Sequence, residues 1–286
     1  MNYNSSNTLV SIILPTYNWK KEWLEESINS VLNQSYINFE LIIINDASTN
    51  NIEDIILKFI KKDLRIRYIK NEKNLRLTKT LNKWIDLSKW KYIARIDDDD
   101  IWYDKDKLKK QVEFMEKNPD YWLCWCSSIF IDSNWNDFWI FKAQKENLNI
   151  KKKLLNENQF LHSNIIFNKD IIKDIWKYID NDSTKYCEDY EFWLRIWTKY
   201  KLHNLNDIYT KIRVSDIWIS ITNKNLQTFN AFKLALKYRK YYNWKLFFII
   251  WINRIIILKI SYFTKEIWIY DFLSYKWRKY ILKQKI

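Results

Sequence analysis

Four consecutive carboxylates, Asp97 to Asp100, follow directly on a short β-prone run, Tyr92-Ile93-Ala94-Arg95-Ile96. Like charges this close repel one another, so the run is costly unless a cation shares them. Hard divalent cations such as Mg²⁺ or Mn²⁺ take oxygen ligands of this kind, and substrate phosphates often complete the shell. A solvated acidic loop, with Asp100 capping the next helix, would use the same residues. The run alone leaves both readings open. A second acidic pair, Glu188-Asp189, opens a helical pattern whose stripe is Tyr190, Trp193, Leu194 and Trp197. Acids in a first turn can also be plain partners of the helix dipole.

The elements around these residues decide between the readings. Leu9 to Leu14 is an apolar run broken only by Ser11, and it ends at Pro15-Thr16-Tyr17-Asn18, a buried strand and its exit loop. Leu24, Ile28, Val31 and Leu32 recur at helical spacing. Leu41 to Ile44 is a second strand, stopping at Asn45-Asp46-Ala47-Ser48-Thr49, and Ile52, Ile55, Ile56, Phe59 and Ile60 form the next helix stripe. A strand over Arg65 to Ile69, a helix through Leu77, Leu81, Trp84 and Ile85, and a strand at Tyr92 to Ile96 follow. Strand–helix alternation at this pace predicts a parallel sheet with right-handed crossovers, in which ligands bind beyond the carboxyl ends of the strands. Pro15 to Tyr17, Asp46 and Asp97 to Asp100 all fall at such ends. The acidic run therefore reads as part of a site.

Further on, the sequence predicts a helix through Leu108, Val112 and Met115, a turn at Asn118-Pro119-Asp120, and a β segment over Tyr121 to Phe130. Lys142 to Lys153 reads as a polar surface connection, Asn164 to Phe167 as a short strand, and Ile171, Ile172 and Ile175 as a helix stripe. From about Asn223 the chain turns helical, aromatic and basic. Leu246 to Ile252 is strongly apolar, but Asn253, Arg254 and Lys259 interrupt it, which argues against a spanning helix. Such a segment either lies on a membrane surface or packs on the main domain.

Composition narrows the partners. With 286 residues the chain can bury a full core and carry an extension, giving expected domains at 1–222 and 223–286. The first residues have neither a basic start nor an apolar core, so no signal peptide is expected. Cys124, Cys126 and Cys187 cannot all pair and lack zinc-ligand spacing, which predicts reduced core thiols in a cytosolic protein. A net charge of +14 favours an anionic partner, but the lysines are spread along the chain rather than clustered.

In four separated motifs, taken in order, the chain resembles the family 2 glycosyltransferases with the GT-A fold. These are Val10 to Asn18, Glu40 to Thr49, Ala94 to Asp100, and Glu188-Asp189-Tyr190-Glu191-Phe192-Trp193-Leu194-Arg195. The resemblance covers roughly residues 8 to 215. It implies an α/β fold, a Rossmann-like and mostly parallel sheet flanked by helices, with the C-terminal helical extension added. It also implies a metal-dependent, inverting hexosyltransferase that uses a nucleotide sugar, most often a UDP-sugar. The acceptor would be a glycan or lipid-linked molecule, in surface polysaccharide or glycolipid synthesis of a bacterial envelope. The enzyme would be cytoplasmic, at the inner face of the membrane if the C-terminal helices touch it.

By the same resemblance, Pro15, Thr16 and Tyr17 line the base pocket and Asp46 accepts a hydrogen bond from the base. Asp97 and Asp98 belong to the donor site, with Asp97 near the ribose and diphosphate, and Asp99 coordinates Mn²⁺ or Mg²⁺. The family's commonest form has Ala where this chain has Asp98. Asp189 takes the acceptor proton, with Glu188 beside it keeping its pKa raised. His162 matches a position on the acceptor side. Two rivals remain: a nucleotidyltransferase on a related sheet, which would want a Gly-rich phosphate loop after the first strand, and a basic, aromatic-rich module stacking on single-stranded nucleic acid. The second leaves the acidic run unexplained, and no nucleic-acid partner is expected. Metal-dependent binding of a nucleotide sugar separates all three.

One count is abnormal. The chain has no Gly and 17 Trp, where usage of about 7 % would give roughly twenty Gly. Trp19, Trp84, Trp90, Trp122, Trp125 and Trp176 fall where the resembled family usually has Gly, in turns and close-packed places. A gene whose UGA codons are read as Gly in the cell, but were translated as Trp, would give this pattern. Trp193, on the helix stripe, is expected to be a true Trp.

Overall fold

A computed structural model describes residues 9–142, 144–155, 158–214 and 223–241. Eight strands run in the order β3-β2-β1-β4-β8-β6-β9-β5, and a ninth, β7, pairs with β6. The first half of the sheet is β1 (Val10–Thr16), β2 (Phe39–Asn45), β3 (Ile66–Lys70) and β4 (Tyr92–Arg95), all parallel. Their crossovers are α1 (Lys21–Leu32), α2 (Glu53–Ile60) and α3 (Leu77–Leu87). The apolar runs are continuous because both faces of these strands are covered. Val10, Ile12, Leu14, Leu41 and Ile43 pack with Leu24, Ile28, Ile56 and Leu108 on one side. Ile13, Ile42, Ile44 and Ile93 pack with Leu81, Trp84 and Ile85 on the other.

The second half of the sheet is mixed. It holds β5 (Ile101–Trp102), β6 (Tyr121–Ile131), β7 (Asp137–Phe141), β8 (Ile166–Asn168) and β9 (Lys201–Arg213). Strand β8 runs antiparallel to both β4 and β6, whereas β6 and β9 are parallel. The helices here are α4 (Lys107–Lys117), α5 (Asn147–Leu154), α6 (Ile171–Ile175), α7 (Glu188–Trp197) and α8 (Lys224–Tyr238).

Several local expectations change. The stretch from Lys142 to Lys153 is not simply a polar connection: it contains most of α5, anchored by buried Ile150 and Leu154. Asn164 lies in a 3-10 turn, His162–Asn164, ahead of β8. Its buried amide donates to the Cys126 carbonyl at 2.9 Å and the Ser128 hydroxyl at 2.8 Å, bonds a ladder position would not permit. Strand β9 escaped the pattern because its inward positions include His203, Asn204, Thr210 and Arg213, all buried polar residues. The three cysteines are free and buried, as read.

Helix α8 packs on α7. Leu234, Ala235 and Tyr238 are buried, and the Tyr238 hydroxyl donates to Glu191 Oε1 at 2.5 Å. The Leu246 to Ile252 segment lies outside the described residues. No helix among the described residues is long and apolar enough to cross a membrane.

Candidate active site

Strand register brings the functional loops together. Thr16 pairs with Asn45 across β1 and β2, and Ile13 pairs with Arg95 across β1 and β4, so the loops leaving these strands share one sheet edge. Pro15 and Thr16 are still inside β1 and buried, so the exit loop begins at Tyr17, which is exposed. Asn18, with φ 53, accepts from the Thr49 amide at 2.7 Å and donates its own amide to Ser48 Oγ at 3.0 Å. Asp46 is buried at the end of β2. Its Oδ1 accepts from Asn71 Nδ2 at 2.7 Å and the Leu75 amide at 3.0 Å, tying in the loop after β3.

The four carboxylates of the acidic loop have different surroundings. Asp100 is buried and does not cap a helix; β5 follows it and α4 begins only at Lys107. Its side chain accepts from the Ser163 hydroxyl and from the Arg213 amide at 2.9 Å. Burial, with the nearby charge of Asp97 added, pushes its carboxyl up to about 8, while the Ser163 bond pulls the other way. Arg213 Nε donates to the Asp99 carbonyl at 3.1 Å, and its far end donates to Glu26 Oε2 at 2.5 Å. The Ser27 hydroxyl donates to the Asp100 carbonyl at 2.6 Å. Asp100 thus anchors the loop, and Asp99 beside it is buried as well.

Asp98 lies beside Thr16 and Tyr17. Burial pushes its carboxyl up to about 7, against the pull of the Thr16 hydroxyl and with the charge of Asp97 adding to the rise. Asp97 is half-buried and forms a salt bridge to buried Arg95, while its amide donates to Ser163 Oγ at 2.9 Å. The other end of the Arg95 guanidinium meets His162 Nδ1, and His162 Nε2 lies 2.8 Å from the Tyr178 hydroxyl. Burial and the Arg95 charge hold the imidazole well below its usual pKa, so His162 is neutral.

Glu188 and Asp189 form the first turn of α7 and are half-buried. Asp189 Oδ2 accepts from Asn158 Nδ2 at 3.0 Å. Burial raises the Asp189 carboxyl, opposed by the Tyr190 amide and the Asn158 bond. Burial and then the charge of Asp189 push Glu188 up to about 7, with Arg95 drawing it down and Asp97 raising it again. The first-turn acids are therefore more than dipole partners. They are held in a desolvated place within electrostatic reach of the acidic loop.

Sequence reading missed Arg95, Ser163, Tyr178 and Arg213 as parts of this site. For Arg95 a signal existed, since a lone cation inside an apolar strand directly before an acidic run needs a buried partner. Ser163, Tyr178 and Arg213 carried no local signal. Ser163 and Arg213 reach the site through the pairing of β8 and β9 with the rest of the sheet, and Tyr178, between α6 and α7, through its amide bond to Asn82 Oδ1 at 2.9 Å.

The family described as "Glycosyl transferase family 2" matches residues 11–176. The chain is 36 % identical over 251 residues to an uncharacterized glycosyltransferase of Methanocaldococcus jannaschii, covering 84 % of this chain and 85 % of that one. It is 34 % identical over 209 residues to the UDP-Glc:alpha-D-GlcNAc-diphosphoundecaprenol beta-1,3-glucosyltransferase WfaP of Escherichia coli, covering 72 % and 77 % respectively. The mannosyltransferase PcManGT of Pyrobaculum calidifontis, solved with GDP-Man and Mn²⁺, shares the fold at a TM-score of 0.62 and 13 % identity. That alignment covers 81 % of this chain and 65 % of PcManGT. The chain belongs to glycosyltransferase family 2, and the protein is a glycosyltransferase.

Proposed function

We propose that the enzyme moves a sugar from a nucleoside diphosphate sugar, UDP-linked by preference, to a hydroxyl of a glycan or lipid-linked acceptor with inversion. The observation that carries this reading is the meeting of two acidic groups, Asp97 to Asp99 and Glu188-Asp189, around one buried arginine. The first suits a diphosphate held through a cation, and the second suits removal of a proton. Two relatives add support: WfaP is named for a UDP-Glc donor and a diphosphoundecaprenol acceptor, and PcManGT was solved with GDP-Man and Mn²⁺.

The residues present fit a divalent cation. Among the described residues, no three His, Cys, Asp or Glu side chains gather as a closed cage. Mg²⁺ and Mn²⁺ are commonly held by one or two carboxylates with substrate phosphates completing the shell, which is what Asp99 and its neighbours offer. When bound, such a cation would neutralise the charge that develops on the departing diphosphate. Pro15, Thr16, Tyr17 and Asp46 border the place for the base, and Asp97 and Asp98 the place for ribose and diphosphate. Asp189 takes the proton of the acceptor hydroxyl as its oxygen bonds to the anomeric carbon, and the bond from that carbon to the diphosphate breaks on the opposite side. The elevated pKa of Asp189 makes it a stronger base than an ordinary carboxylate. His162 sits between Arg95 and Tyr178, where it supports the site from the acceptor side. A peripheral membrane position, in the cytoplasm, would bring the active site to a lipid-linked acceptor. The test is transfer to acceptor by Asp189→Asn. A large loss of transfer with donor binding retained supports the reading, and loss of donor binding contradicts it.

A further inference from the structure

Arg95 is nearly inaccessible, and its guanidinium faces two directions. One terminal nitrogen grips Asp97 and the other meets His162 Nδ1. A guanidinium only donates, so Nδ1 must accept, and the proton of the neutral ring sits on Nε2. Nε2–H then donates to the Tyr178 hydroxyl at 2.8 Å, leaving the phenolic proton for a further acceptor. Tyr178 is buried, and Trp193 and Phe192 of α7 pack against it. The line Asp97–Arg95–His162–Tyr178 therefore runs from the acidic loop to Phe192 and Trp193 in the middle of α7, about one turn beyond Glu188 and Asp189.

We propose that Arg95 is a positioning residue for sugar transfer, aiming Asp97 at the donor with one end and fixing the base side through His162 and Tyr178 with the other. This rests on the donor and base assignments above. The charged and titratable groups that face the Glu188-Asp189 pair come from three elements. Arg95 comes from β4, Asp97 from the loop after it, and Tyr178 and Cys187 from the segment before α7. Among the described residues, Arg95 is the cation that draws down both members of the pair. Without it the pair should hold its protons to higher pH.

The test compares Arg95→Met, Arg95→Lys and Tyr178→Phe with the unsubstituted enzyme. UDP and GDP binding with Mn²⁺ is followed by calorimetry, and UDP-sugar hydrolysis by pH profile. We expect Arg95→Met to lower kcat by roughly 10²-fold and to move the acidic limb of kcat/KM up by about one pH unit. Arg95→Lys should restore the position of the limb but only part of kcat, because an ammonium cannot span both partners. Tyr178→Phe, which removes one oxygen and no volume, should lower kcat several-fold with nucleotide binding intact. An unmoved acidic limb in Arg95→Met would overturn the proposal. If Arg95→Met does not fold, unchanged kcat in Tyr178→Phe overturns it equally. Failure of the unsubstituted enzyme to bind either nucleotide with Mn²⁺ would instead remove the donor reading, and this inference with it.

The backbone carries a second inference. Trp176, at the C-terminus of α6, has φ 69 and ψ 174, a region open essentially to Gly alone. Trp135, in the turn between β6 and β7, has φ 70. Trp125 is fully buried with its ring centroid 3.7 Å from that of Phe160 at 78°, inside the usual spacing of about 4.5–7 Å. The indole N–H of Trp125 is also buried without a partner, a feature that Trp84 and Trp193 share and that therefore does not by itself mark a Gly position. Trp19, Trp84, Trp90 and Trp122 do not have the positive φ expected of Gly turns, so their case stays with sequence alone. We infer that the protein made in its own cells carries Gly at positions 125, 135 and 176, through UGA codons read as Gly. Tandem mass spectrometry of protein purified from those cells decides it. Gly at these three positions, with Trp at 193, is expected; Trp at all three would overturn it. Recombinant Trp176→Gly should also melt higher than the Trp form, and a lower melting point would count against the inference at that position.

Discussion

Asp189, the proposed base, should work in a pH window set first by its burial and then by its neighbours. As a base it must be ionised, and burial raises its pKa while Glu188 rises to about 7 beside it. A raised carboxylate is protonated at pH values where an ordinary one is already charged, so kcat/KM should climb with pH through a limb above the ordinary carboxylate range. Glu188→Gln removes a like charge and should move that limb downward, although burial remains and keeps it above the ordinary range. A limb unmoved or raised by Glu188→Gln would contradict the pairing. Asp189→Asn should lower transfer roughly 10²–10⁴-fold, the usual range for a lost general base, with nucleotide binding unchanged. The residues with a chemical signature of their own, the acidic run and the Glu-Asp pair, were legible in sequence. What Asp100 does was not, because its role as an anchor depends on Ser163 and Arg213, 63 and 113 residues away.

At the scale of elements, the first four strands and their helices could be read directly. A strand buried on both faces needs apolar residues at every position, and that pattern has few competitors. The second half was harder for a physical reason. Strand β9 buries polar side chains that are satisfied across the sheet, as Thr210 is by Ser128 at 2.6 Å, so its sequence does not look like a core strand. The turn His162–Asn164 illustrates the consequence for function. The Ser163 hydroxyl braces both the Asp97 amide and the Asp100 carboxyl. Ser163→Ala should therefore leave the fold intact but weaken Mn²⁺-dependent nucleotide binding by roughly 10–100-fold, the effect typical of outer partners of a metal site. Unchanged affinity would show that the loop holds its shape without that brace. On α8, Tyr238→Phe should cost about 1 kcal/mol in denaturant unfolding, since Glu191 keeps its bond to Arg195.

For the whole molecule, a net charge of +14 and a basic, aromatic C-terminal region suggest an electrostatic approach to an anionic surface. The packing of α8 makes the choice of truncation point matter. Ending the chain at Asn223 would expose the face of α7 that Leu234, Ala235 and Tyr238 cover, and the product should aggregate. Ending it at Tyr241 should preserve nucleotide binding, and flotation with anionic vesicles should fall if residues 242–286 supply the membrane contact. Equal flotation of the full and shortened chains would place that contact elsewhere. The central claim is that a cation held by Asp99 joins the enzyme to a nucleoside diphosphate while Asp189 stands apart as the base. Calorimetric titration of UDP and GDP, with and without Mn²⁺, into the unsubstituted protein, Asp99→Asn and Asp189→Asn tests it most directly. The account predicts binding that requires Mn²⁺, is lost in Asp99→Asn and survives in Asp189→Asn. Metal-independent binding, or binding that survives in Asp99→Asn and fails in Asp189→Asn, would contradict it.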